Sequence, residues 1–108
     1  ELQTSILETI LERLDQYLYQ CDDTYITVCT DVFSSAFAPG VSAPQSLGLD
    51  PEIVLPLIKH VLRTRKVRGF DICEISPRFD QDNTTANLGA VIIFAVINTL
   101  CRLNGLSL

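Results

Sequence analysis

Apolar side chains recur at helical spacing from the start of the chain. Leu2, Ile6, Leu7, Ile10, Leu11, Leu14 and Leu18 share one face, with Glu8, Glu12, Arg13 and Asp15 off it. The pattern predicts a helix over 2–19, in which Ser5 and Glu8 have the spacing of a capping box. Cys21-Asp22-Asp23-Thr24 reads as the turn out of it. The period then changes: Tyr25 to Thr30 is a β-type run that dissolves into small residues, Pro and Gly. A buried parallel strand leaves a sheet in this way, opening into a loop at its carboxyl end. The loop from Asp31 to Leu49 is long for a connection in a compact domain, and long loops there are more often functional than idle.

Asp50-Pro51-Glu52 carries the signature of a helix start, with Asp as cap, Pro at the first position and an acid in the first turn. Ile53, Val54, Leu57, Ile58, Val61 and Leu62 form its apolar stripe, and Pro56 predicts a mild kink or a later start. Val67 to Ile75 reads as a second strand, and 78–83 as a polar loop with Asp80 and Asp82 solvated. Thr84 or Thr85 is expected to cap a last helix that runs to Leu103 and stops at Asn104-Gly105. That helix is apolar on nearly all sides, which implies burial in a larger body. Its run Leu88 to Leu100, interrupted by Asn98, reads as too short to span a bilayer. The order helix, strand, helix, strand, helix is an α/β class with a parallel sheet and a right-handed crossover.

Composition narrows the function. A 108-residue chain with 47% apolar and 19% charged residues builds one small domain with a real core. Its net charge of −5 argues against nucleic acid as the main partner. The one basic cluster, Lys59, His60, Arg63, Arg65, Lys66 and Arg68, falls at a helix end, where cations complement the dipole. Cys21, Cys29, Cys73 and Cys101 show neither Cys-x-x-Cys pairing nor zinc-ribbon spacing, which fits reduced, buried thiols in a cytoplasmic protein with no membrane partner. The chain begins at Glu1 rather than Met, and it reads as a piece of a larger sheet.

Candidate chemistry sits at the two strand ends. Alternation along a strand sends Cys29 and Asp31 to one side, so two ligand-capable atoms leave the sheet together. A buried Cys and a loop-capping Asp satisfy the same pattern. At the second strand end Asp71 and Glu74 stand in an otherwise apolar run. An isolated carboxylate there has to be paired, hydrogen-bonded or turned to a cavity.

Two motifs carry a resemblance to a known family. The first is Cys29-Thr30-Asp31 followed by Ala38-Pro39-Gly40 and Gly48; the second is Asp71-Ile72-Cys73-Glu74-Ile75-Ser76-Pro77. At this separation they resemble the arginase, agmatinase and formimidoylglutamase family of manganese-dependent ureohydrolases, over Tyr25 to Leu100. Val41-Ser42-Ala43, where arginases and agmatinases usually carry Thr-Gly-Thr, looks most like the formimidoylglutamase branch. The resemblance implies a three-layer α/β/α fold with a parallel sheet, of which residues 1–108 are the carboxyl-terminal portion of a single domain.

The resemblance also implies hydrolysis of N-formimidoyl-L-glutamate to L-glutamate and formamide, a step of histidine breakdown. Asp31 and Cys29 would stand at the manganese pair, and Glu74 and Ser42 at the substrate amidine. Two departures accompany it. Cys29 replaces the family's first Asp, and Ser34 replaces an Asp often found in this loop. The family's Asp-Ala-His-x-Asp and Gly-Gly-Asp-His segments have no counterpart here, since the single histidine is His60. The chain alone is therefore expected to be inactive, to need the missing amino-terminal part, and to associate, as a homo-oligomer in the full-length protein. A non-catalytic relative acting as an assembly or regulatory subunit, and arginase or agmatinase specificity, are the alternatives.

Overall fold

The structure is a computed structural model that describes residues Leu2 to Leu106, and the side chains from Ser5 onward. Helix α1 spans Leu2–Tyr19, strand β1 Thr24–Cys29, helix α2 Pro51–Leu62, strand β2 Val67–Cys73 and helix α3 Thr84–Leu103. Single 3₁₀ turns at Thr30–Val32 and Pro77–Phe79 follow the two strands. The strands are parallel, with Tyr25 opposite Gly69 and Cys29 opposite Cys73. This is the expected α/β chain with a parallel sheet.

Ile26 and Val28 of β1 and Phe70 and Ile72 of β2 point to one face, as the period of two requires. Ile58 and Leu62 of α2 and Ile92 and Val96 of α3 close over that face, and Phe33 and Ala38 of the long loop complete the core. The other face carries Tyr25, Thr27, Gly69 and Asp71. The Tyr25 ring lies over Gly69, where any Cβ would overlap it, so the glycine admits the aromatic side chain.

Local chemistry explains most boundaries. Asp50 Oδ1 accepts from the Glu52 N–H at 2.8 Å, and the helix starts at Pro51 rather than later. Ser5 lies inside α1, where its carbonyl accepts from the Thr9 hydroxyl, so it is no cap. Lys66 Nζ donates to the Leu18 carbonyl at 2.6 Å, a cation on the open end of α1. His60 Nε2 meets Asp15 Oδ1 at 2.6 Å and ties α2 to α1.

Helix α3 is longer than its apolar run and only partly covered in this chain. Its 20 residues make the whole helix, unlike the run Leu88 to Leu100 within it, long and apolar enough to cross a membrane by length and composition alone. Only one stripe of it is buried, however: Thr85, Gly89, Ile92, Val96 and Thr99. Val91, Ile93, Phe94 and Ile97 remain exposed among the described residues; the burial expected of them is in a larger body than this chain. The buried stripe packs on α2 and the sheet, as the core helix of a globular domain does.

Candidate functional site at the carboxyl edge of the sheet

The loops leaving β1 and β2 are laced to one another. Thr30, fully buried, donates through Oγ1 to the Cys73 carbonyl at 2.9 Å, fixing the exit of one strand to the end of its neighbour. The Ser76 N–H donates to the Gly40 carbonyl at 2.7 Å, and the Gly40 N–H donates to Thr85 Oγ1 at 2.7 Å. The Ala38-Pro39-Gly40 segment is thus clamped between the exit of β2 and the start of α3. A Cβ on Gly40 would come within 2.7 Å of the Asp80 carboxyl group, so only glycine lets that side chain approach.

Asp80 is half-buried and hydrogen-bonded rather than freely solvated, and neither Thr84 nor Thr85 is the cap residue of α3. The cap position is Asn83, in a left-handed conformation without a side-chain bond. Asp80 does the capping from outside, accepting from the N–H groups of Thr85 at 2.9 Å and Ala86 at 3.0 Å. Thr85 is buried because its hydroxyl serves Gly40 instead. Burial works against the Asp80 charge, yet the donors on Thr85, Ala86 and Gln81 outweigh it and hold the carboxyl below its ordinary 3.8. The unfolded chain takes up this proton near the ordinary value, while the folded chain takes it up only at lower pH. The support is therefore complete above that value and lost as pH falls below about 4. Asp80→Asn lowers the thermal midpoint at neutral pH and flattens its fall in acid. A variant melting like wild type from neutral pH down to about pH 3 would contradict the cap.

The first pair of candidate ligands is brought together, although not as alternation alone foresaw. β1 ends at Cys29, one residue early, and the 3₁₀ turn at Thr30–Val32 swings Asp31 back. Cys29 Sγ donates to Asp31 Oδ1 at 2.8 Å. The Asp31 carboxylate, through this hydrogen bond, pushes the thiol up to about 11 from its ordinary 9.0, so at neutral pH the sulfur is a protonated donor. Cys73, opposite Cys29 in register, donates weakly to the Val28 carbonyl at 3.7 Å.

Glu74 and Ser42 stand apart from that pair and are exposed. β2 stops at Cys73 rather than Ile75, because Glu74 takes a left-handed backbone with φ 68°. Such a conformation costs a side-chain-bearing residue about 1–2 kcal/mol, and Asn or Asp tolerates it better than Glu does. Asp71 is half-buried on the open face of the sheet, where it accepts from Thr27 Oγ1 at 3.3 Å. Among the described residues, no three His, Cys, Asp or Glu side chains cluster closely enough to hold a metal.

Sequence reasoning missed Thr30, Asp80 and Thr85. Thr30 could have been suspected from its place between the two candidate ligands.

These features define an α/β fragment whose candidate chemistry lies where parallel strands end, the usual ligand-binding edge of such sheets. The Arginase family model matches residues 1–98, and the chain belongs to the arginase family. A formimidoylglutamase from Clostridium tetani is 62% identical over 99 residues, covering 92% of this chain and 29% of that protein. One from Legionella pneumophila is 44% identical over 86 residues, covering 80% of this chain and 27% of that protein. Among solved structures, formimidoylglutamase from Bacillus subtilis superposes with a TM-score of 0.82 at 26% identity, covering 91% of this chain and 30% of that one. The agmatine ureohydrolase of Thermoplasma volcanium gives a TM-score of 0.78 at 29% identity, covering 92% of this chain and 32% of that one. The chain thus spans less than a third of the length of these relatives.

Proposed function

We propose that the full-length protein containing this chain hydrolyses N-formimidoyl-L-glutamate: one water is consumed, the amidine C–N bond breaks, and L-glutamate and formamide leave. The observation that carries this reading is the 62% identity to a formimidoylglutamase over 92% of the chain. Turnover of N-formimidoyl-glutamate set beside arginine and agmatine tests it. Formamide from the first substrate alone is expected; urea from either of the others would move the specificity elsewhere in the family.

Asp31 fits a manganese ion, because its oxygens are the hard donors such a cation takes; the Cys29 sulfur suits softer metals. Asp31 would hold the metal, together with donors from outside this chain, and Cys29 is the second candidate beside it. A manganese pair supplies a low-pKa water as the nucleophile. In this chain, Cys29 orients the Asp31 carboxylate by donating to Oδ1. The Thr30 hydrogen bond to the Cys73 carbonyl holds both strand ends at a constant separation. Glu74 presents a carboxylate to the cationic amidine through charge-assisted hydrogen bonds, and Ser42 offers a hydroxyl beside it. The chain alone, without three clustered ligands among its described residues, is inactive in this reading, and the full-length protein works in the cytoplasm as a homo-oligomer.

The left-handed Glu74 supports a substrate role, since its backbone conformation alone favours glycine. Glu74→Gly in the full-length protein is expected to raise stability by up to about 1 kcal/mol while raising KM. A variant with unchanged KM would remove Glu74 from the substrate site. The sulfur beside Asp31 is the one observation favouring a non-catalytic relative. Folded full-length protein that retains no manganese and gives no turnover would support that second reading.

A further inference from the structure

The basic run from the end of α2 to the start of β2 divides into two groups. His60 and Arg68 each meet a carboxylate, Asp15 and Asp23, and Lys66 is bound to the Leu18 carbonyl. Lys59, Arg63 and Arg65 lie within 4.0 Å of no carboxylate among the described residues. Lys59 and Arg63 line a cleft of about 180 Å³ with Asn98, Thr99, Arg102 and Leu103 of α3, and Arg102 likewise has no carboxylate partner among the described residues. Lys59 in the last turn of α2 and Arg63 at its C-cap are four apart, a spacing at which like charges repel.

Helix dipoles account for part of this charge. The cleft lies at the carboxyl ends of α2 and α3, and each end carries roughly half a negative charge. Two ends offset about one of three cations and leave about two positive charges, in a chain whose net charge is −5. Asn98 interrupts the apolar run of α3 at this cleft and supplies an amide N–H donor.

We propose that this cleft binds a small oxyanion carrying two negative charges, with Lys59, Arg63 and Arg102 as its cationic wall and the Asn98 amide as a neutral donor. Inorganic phosphate and a short dicarboxylate share that chemistry. The site is separate from the carboxyl edge of the sheet, and it stands whether or not the hydrolase reading does.

The test is calorimetric titration of phosphate, and separately of succinate, into the full-length protein, with acetate at equal ionic strength as the monoanion control. One of the two dianions is expected to saturate a single site, to raise the thermal midpoint by mass action, and to be unmatched by acetate. Combining Lys59→Gln, Arg63→Gln and Arg102→Gln is expected to weaken binding at least about tenfold. If the triple variant fails to fold, Arg102→Gln alone carries the test with a smaller loss. Phosphate preferred over succinate assigns a phosphate-type ligand, and the reverse assigns a dicarboxylate. Absence of binding by either dianion at about 10 mM overturns the proposal. So does binding that the substitutions leave unchanged, or a cleft found filled by an acidic protein segment.

Discussion

Asp31→Asn in the full-length protein lowers hydrolysis of N-formimidoyl-glutamate by at least about a hundredfold. Removing a group that only supports a metal ligand already costs ten- to a hundredfold, and the ligand itself costs no less. The fold is not expected to suffer: Asp31 is only half-buried, and its one side-chain partner is the Cys29 thiol, to which an Asn oxygen still offers an acceptor. The expected pattern is lost turnover and lost manganese, with the thermal midpoint of the metal-free protein unchanged. Activity within a few-fold of wild type would take Asp31 out of the site.

Gly48→Ala has the largest expected effect on stability. A Cβ at Gly48 would overlap the Phe33 carbonyl carbon and the Ser34 nitrogen, which are backbone atoms and cannot turn aside. Relief requires breaking the paired segment where the Ser34 N–H donates to Leu49 and the Leu49 N–H donates to Val32, at 3.0 and 2.8 Å. That segment seats Phe33, which is 1% exposed at the centre of the core. Losing its packing costs about 3–5 kcal/mol, the scale of a buried Phe truncation. A domain with about 5–15 kcal/mol in hand loses a large part of its margin. A melting curve that overlays wild type would show that the loop can shift without unseating Phe33.

What the chain discloses before its structure is known depends on how local the cause is. The apolar period of α1 and the Asp50-Pro51 start of α2 are local chemistry, and both elements lie where the residues put them. The pairing of Cys29 and Asp31 at the β1 exit was legible for a reason only half right. Alternation placed Cys29 and Asp31 together, whereas a tight turn brings them into contact. The Asp80 cap was hidden because the carboxylate reaches α3 from outside the helix, around Asp82 and Asn83 in left-handed conformations. Thr85 looked like a cap because its partner, Gly40, lies 45 residues away. The early end of β2 at Glu74 has no local signal, since a left-handed Glu is disfavoured by its own chemistry. The cationic cleft lay half in view: Lys59 and Arg63 were seen as a helix end, but Arg102 joins them only through the packing of α3 on α2.

The most direct measurement is formamide release from N-formimidoyl-glutamate by the full-length protein, with and without added manganese. Manganese-dependent turnover is the predicted result, and it would show that Cys29 beside Asp31 is compatible with a working site. No turnover in either condition, from protein shown to be folded, would contradict the account and leave a family member without this activity.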